Sequence, residues 1–219
     1  WFFGDGDSTT TANPTHSYPK DSTFRVKLRA VSGKGCTALD SQDITVNPTP
    51  SVLFSVNDSD QCLNGNSYTF TNTSTIRTGS ISAHSWSFGD ATASSATSPT
   101  KVYTVSGAKT VRLIVTSDLG CNDTLSKQVM VFRKPTPAFT INDSTQCLTN
   151  NIFSFTNASS IGGTDTMFYM WYFGDGSTST DPNPTHLYDT IGSYDVIFSC
   201  SDNSGCSSSY TIQSMITTY

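Results

Sequence analysis

Three tryptophans, Trp1, Trp86 and Trp171, stand 85 residues apart, and this spacing constrains the chain more than any other feature. Cys36, Cys121 and Cys206 keep the same interval, as do Cys62 and Cys147. Aligned without a gap, WFFGDG falls on WSFGDA and WYFGDG, and NPTHSY on SPTKVY and NPTHLY. NDSDQCL likewise falls on NDSTQCL, and YTFTNTS on FSFTNAS. Repetition at a fixed period means tandem copies of one small unit. The copies span residues 1–49, 50–134 and 135–219, the first being only the C-terminal part of a unit. They meet at the Pro-rich junctions NPTPSV and RKPTPA, which leave no slack for a free linker.

Each unit reads as short strands. In VRLIVTS, Val111, Leu113 and Val115 alternate with Arg112 and Ile114. The corresponding face carries Val26, Leu28 and Ala30 in the first copy and Val196, Phe198 and Cys200 in the third. Gly, Pro, Asn, Asp and Ser cluster between these runs, and no capped helical period interrupts them. The expectation is all-β: tandem seven-strand, immunoglobulin-like β-sandwiches in a semi-rigid rod.

Composition narrows the function classes. Only 13% of the 219 residues are charged and the net charge is −5. No cluster of Lys and Arg exists to neutralise phosphates, which argues against nucleic acid and anionic membrane surfaces. No apolar run approaches the ~20 residues that cross a bilayer. Because Trp1 opens inside a motif, the chain is expected to be a piece of something longer.

W-x-F-G-D-G, then N-P-T-H-x-Y, then G-x-Y-x-V and an alternating strand together resemble the PKD domain, the immunoglobulin-like sandwich first noted in the polycystic kidney disease protein. The resemblance covers the second and third copies fully and the first in part. Departures are Ala91 for the last Gly of the first motif, Lys101 for His16 and His186, Ser22 for Gly107 and Gly192, and Lys109 for Tyr194. The added Q-C-L and G-C motifs resemble PKD repeats of large secreted surface proteins of Bacteroidota, including gliding-motility adhesins. That resemblance implies export, display at the cell surface, and a stalk or adhesive, filament-forming role. It implies as partners neighbouring repeats, further copies of the chain, surface polysaccharide or envelope proteins. The alternative is a polysaccharide-binding accessory module of a secreted hydrolase.

The chemistry-bearing residues read mainly as fold residues. Asp5, Asp90 and Asp175 sit in Gly-flanked turns, where a carboxylate braces backbone N–H groups. Trp1, Trp86 and Trp171 read as core, and Tyr18, Tyr103 and Tyr188 resemble a tyrosine corner. His16 and His186 give way to Lys101, and His84 is confined to one copy, which does not suit a catalytic base or zinc ligand. The chain contains no Glu and no G-x-S-x-G, so no catalytic residue and no enzyme activity are expected. Asn57, Asp58, Asp60, Asn142 and Asp143 offer the oxygen ligands that suit calcium, with an Asx-type turn as the other reading. No other cofactor is expected. Asp followed by Ser or Thr makes Ser8, Ser22, Thr124, Ser144, Thr166 and Thr190 candidates for the Bacteroidota type of O-glycosylation. Asn72 and Asn157 head N-x-S sequons, which would matter only in a eukaryotic ectodomain.

Six cysteines in a chain of expected extracellular location point to disulfides. Cys200 occupies a core position, and reads either as a buried thiol or as the partner of Cys206. Cys62 and Cys147 follow the first strand of their copies, whereas Cys36, Cys121 and Cys206 open the last. In an immunoglobulin-like sandwich these places lie at opposite ends, so Cys62–Cys206, across a junction, is one expectation. Cys121 and Cys147 would then pair beyond the chain. Pairs within a copy, Cys62–Cys121 and Cys147–Cys206, are the other.

Overall fold

The structure, a computed structural model, describes residues 1–162 and 165–218. All regular elements among them are strands. The first copy contributes β1 (Ser22–Val31) and β2 (Thr37–Val46). The second contributes β3 (Phe54–Val56), β4 (Asp60–Cys62), β5 (Tyr68–Asn72), β6 (Ile81–Ser87), β7 (Ala93–Ser94), β8 (Thr100–Lys101), β9 (Gly107–Ser117) and β10 (Asn122–Phe132). The third repeats that order as β11 (Phe139–Ile141), β12 (Thr145–Gln146), β13 (Phe153–Asn157), β14 (Met167–Tyr172), β15 (Thr178–Ser179), β16 (Thr185–His186), β17 (Gly192–Asp202) and β18 (Ser207–Thr218).

In the second copy a three-stranded sheet, β3-β5-β8, accompanies a five-stranded one, β4-β10-β9-β6-β7. The third copy has β11-β13-β16 and β12-β18-β17-β14-β15, so the architecture is a tandem of immunoglobulin-like β-sandwiches. Among the described residues the second and third copies each have eight strands rather than the expected seven, because short edge pieces such as β4 and β12 join the larger sheet. β4 pairs parallel to β10, placing Cys62 opposite Phe132.

The chain forms two compact units, and the division runs through the second copy. One comprises Trp1–Asn57, Thr69–Lys101 and Lys109–Gln128; the other comprises Asp58–Tyr68, Val102–Ala108 and Val129–Tyr219. In the first unit, Phe54 on β3 and Phe70 on β5 pack on Trp86 of β6, with ring centroids 5.0 and 5.6 Å away. Val111, Leu113 and Val115 are fully buried beside them, as the period-two pattern of β9 requires. In the second unit, Phe139, Phe155, Trp171, Phe173, Val196 and Phe198 form the same kind of core, and Trp171 stacks on Phe198 at 3.9 Å.

The first copy departs from expectation. Phe24 and Val26 are buried, but Leu28 and Trp1 are only half-buried and Ala30 is exposed. The physical reason is that, among the described residues, β1 and β2 form a two-stranded sheet without the covering strands that carry Phe54 and Phe70 in the second copy.

The junctions are short. Ser51 bridges to Thr75 and Thr136 to Ser160, so the unpaired connections are Asn47–Pro50 and Arg133–Pro135. An ion pair joins Arg77 to Asp21, and Arg133 donates to the carbonyl of Gly162.

Candidate functional site

The Gly-Asp turn that looks chemical in the sequence is the center of a small, repeated construction. In the third copy β14 buries Trp171, and Phe173 lies just beyond it. The chain then turns at Gly174, where φ is +86° and an added Cβ would lie 2.7 Å from the carbonyl oxygen of Asp195. Only glycine fits this approach. Asp175 follows. Its Oδ1 accepts hydrogen bonds from the backbone N–H of Ser177 (2.9 Å) and from the Ser177 hydroxyl (2.5 Å).

The other carboxylate oxygen does what the sequence reading missed. Asp175 Oδ2 lies 2.7 Å from Nε2 of His186 on β16. The imidazole stacks flat on Phe173 (centroids 4.2 Å apart, interplanar angle 8°) and meets Tyr188 edge-on at 4.6 Å. Tyr188 donates its hydroxyl to the carbonyl of Phe173 at 2.7 Å, closing the loop. Its backbone is clamped from the other side by Asn151, which accepts from Tyr188 N and donates to Tyr188 O, each at 2.8 Å.

The first copy builds the same object. Asp5 Oδ2 and His16 Nε2 are 2.6 Å apart, His16 stacks on Phe3 at 3.9 Å, and Tyr18 donates to the Phe3 carbonyl at 3.0 Å. In the second copy Lys101 replaces histidine, yet Nζ sits 2.7 Å from Asp90 Oδ2 and lies over the Phe88 ring, 5.7 Å from its centroid. Histidine and lysine are thus interchangeable as a cationic or hydrogen-bonding partner for the carboxylate that also covers an aromatic face. The retrievable signal was the fixed interval of 11 residues from each Asp to its partner.

The electrostatics follow from these contacts. The hydrogen bond from His16 holds Asp5 below the usual carboxylate range. Burial pushes Asp175 upward, but Ser177 and His186 together outweigh it and the net shift is downward. For Asp90, burial again acts upward, and Lys101 with Thr92 outweighs it, bringing the group down to about 2. Burial, reinforced by the charge of Asp175, raises the Tyr188 phenol.

The sign of the resulting pH dependence is clear. Asp90 has a folded-state value below its unfolded value, so its contribution is present above about pH 4 and is lost as the pH falls toward 2. Allowing for solvent screening, that contribution is about 1–2 kcal/mol. Carboxyl NMR titration is expected to show Asp90 titrating near 2 in the native protein and markedly higher in Lys101→Met.

The arrangement cannot run a nucleophilic triad. Ser177 Oγ lies 3.2 Å from His186 Nε2, the same nitrogen that faces Asp175. A triad needs the carboxylate on one ring nitrogen and the nucleophile on the other. Lys101 and Thr92 at the corresponding positions of the second copy retain the bracing and could not retain such chemistry.

Among the described residues, the carboxylates and imidazoles that converge closely enough to share an ion are Asp5, Asp7 and His16. Nε2 of His16 is already turned to Asp5, and Asp7 corresponds to Thr92 and Ser177 in the other copies, so the group fits the bracing role better than a metal. The calcium candidates are engaged in their own loops. Asp58 and Asp143 accept from the N–H two residues on, and Asn57 and Asn142 accept from Thr69 and Ser154. Of the glycosylation candidates, Ser8, Ser22, Thr124, Thr166 and Thr190 are exposed and Ser144 is half-buried. Thr190 shares a hydrogen bond with Tyr194 at 2.6 Å.

Cys62 and Cys206 form a disulfide with Cα atoms 5.6 Å apart, across a sequence separation of 144 residues. The pairs Cys62–Cys121, Cys147–Cys206 and Cys200–Cys206 are therefore not formed. Cys200 is buried in the core, where burial raises its thiol pKa, and Cys36, Cys121 and Cys147 are free.

The collagenase ColA of Bacillus cereus is 51% identical over 37 residues, which are 17% of this chain and 4% of that protein. The microbial collagenase of Vibrio alginolyticus is 48% identical over 42 residues, 19% of this chain and 5% of that protein. The chain thus spans only a small part of these relatives' length. The crystal structure of the PKD1 domain of Vibrio anguillarum Epp is 30% identical, with a TM-score of 0.36, covering 39% of this chain and 96% of that one. The PKD domain family matches residues 1–46, 47–132 and 134–218, and the chain belongs to that family.

Proposed function

We propose that this chain is a non-catalytic, load-bearing spacer within a large exported bacterial surface protein of the adhesin type seen in Bacteroidota. The observation that carries this reading is the Cys62–Cys206 disulfide, which ties together residues 144 positions apart. Other features agree with it. The junctions are three or four residues long, each followed directly by a bridge within the next copy. Every repeated Asp–His or Asp–Lys pair is used in bracing a turn. No helix among the described residues is long and apolar enough to cross a membrane. On this reading the array holds an adhesive surface away from the cell, with further copies of itself or envelope proteins as partners.

A second reading, an accessory module that holds a hydrolase on its substrate, is favored by one local feature. Phe168 and Tyr172 on β14 are 54% and 45% exposed, and Tyr172 stands opposite exposed Ile197. Their counterparts in the second copy are Ala83, Ser87 and Arg112. Co-sedimentation with insoluble chitin, cellulose and collagen separates the two. The spacer reading expects the chain to stay in the supernatant; retention that disappears in Phe168→Ala/Tyr172→Ala would establish the accessory role instead.

A further inference from the structure

Apart from Cys200, the cysteines fall into two positional classes, and the disulfide joins one of each. Cys62 is the last residue of the short strand β4 and Cys147 directly follows β12, while Cys36, Cys121 and Cys206 close the turn before the last strand of their copies. The bond runs from the first-class cysteine of one matched segment, 47–132, to the second-class cysteine of the next, 134–218. Cys147 occupies the position of Cys62 one period later and has an exposed, free thiol.

The surroundings of the bonded and free members match. Gln61 closes the Cys62 loop by accepting from Ser67 N at 2.7 Å; Gln146 closes the Cys147 loop by accepting from Ile152 N at 2.9 Å. Asn66 and Asn151 donate to Leu63 O and Leu148 O, both at 2.7 Å. On the other side, the N–H of Cys206 is accepted by Asp202 Oδ1 at 2.9 Å, and those of Cys121 and Cys36 by Ser117 Oγ and Ser32 Oγ, both at 3.1 Å. These contacts hold the corresponding loops of the copies in the same way, and the Cys62–Cys206 bond shows what a cysteine at this position takes.

We infer that Cys147 is the open half of the same link, and that it takes the hairpin cysteine of a further PKD copy. The shared chemistry is a thiol in a Gly-Cys hairpin. Its source is either a following copy in the same polypeptide or a second molecule of this chain, in which Cys36 offers the exposed hairpin thiol. The step is a thiol–disulfide exchange with a small disulfide such as oxidized glutathione as oxidant. The Cys147 thiolate attacks one glutathione sulfur and releases a glutathione thiolate. The hairpin thiolate then attacks Cys147 Sγ of the mixed disulfide and releases the second. Two protein thiols lose two electrons and two protons, and one glutathione disulfide becomes two thiols. The linkage stands whether the array is a spacer or a binding module.

Two samples test it by thiol blocking and non-reducing peptide mapping: the 219-residue chain equilibrated in a glutathione redox buffer, and the natural polypeptide from its producing cells. The expected result for the isolated chain is a reducible ladder of multimers carrying a Cys147–Cys36 peptide, with Cys62–Cys206 intact in every rung. Cys147→Ser abolishes the ladder and Cys36→Ser does the same. A Cys147–hairpin peptide in a monomeric natural polypeptide, with no ladder from the isolated chain, supports the link and assigns its source to the same polypeptide. A Cys147–Cys121 bond between molecules supports the link but overturns the choice of Cys36. The inference is overturned if Cys147 is recovered as a blocked free thiol in both samples, if it is joined to a cysteine within one 219-residue chain, or if the ladder survives Cys147→Ser.

Discussion

Trp171→Ala is expected to cost the third copy about 3–5 kcal/mol, the range for removing a large aromatic from a packed core. Trp171 is fully buried, stacks on Phe198, and contacts Phe139 and Phe155 at 5.0 and 5.3 Å. Its indole N–H donates to the carbonyl of Asp181 at 2.9 Å, so the substitution also removes the donor that pins the following loop. A single domain is stable by only about 5–15 kcal/mol, and the loss takes up much of that margin. Urea unfolding followed by circular dichroism should resolve a separate early transition for the altered copy, since a tandem array need not unfold in one step. Trp1→Ala supplies the comparison. Trp1 is half-buried and faces an uncovered sheet, so its removal should cost markedly less. Equal costs would contradict the packing described.

The second large effect belongs to the disulfide. Replacing Cys62 and Cys206 together by Ser, or reducing their bond, is expected to destabilize the unit that contains both by about 2–5 kcal/mol. The 144-residue separation places the bond among long loops, where the entropy removed from the unfolded chain is greatest. Guanidinium midpoints measured with and without reductant report the difference, and Cys147→Ser serves as a control that should leave the midpoint unchanged. Cys206 is fully buried, so the double variant is preferable to a single one that leaves an unpaired thiol in place.

Much of this architecture was legible because it rests on local pattern. The 85-residue period declared the copies, and the alternation in VRLIVTS placed Val111, Leu113 and Val115 inward. What stayed hidden was the pairing of distant side chains. Asp175 alone reads as a turn residue and His186 as a surface histidine. Their partnership runs through a hairpin and is held by Phe173, which reads as one more core aromatic. The substitution of Lys101 for histidine pointed away from catalysis, yet it also carried the clue that the position wants a donor for Asp90. The Gln61 and Asn66 clamps were likewise invisible, because their bonds go to backbone atoms whose positions only the fold supplies. Ala30 is exposed and Trp1 and Leu28 are half-buried although their pattern matches the buried faces of the other copies, because a strand's own alternation does not report which strands cover it.

The central claim is that a fold brace, not a chemical site, occupies the repeated motif, and that a covalent tie makes the array suited to bearing load. Single-molecule extension of the 219-residue chain from its two ends tests it most directly. With the bond intact, the segment between Cys62 and Cys206 cannot contribute to the extension, which withholds about 500 Å of contour at ~3.5 Å per residue. Adding reductant is expected to release that length. Equal contour lengths with and without reductant would contradict the account.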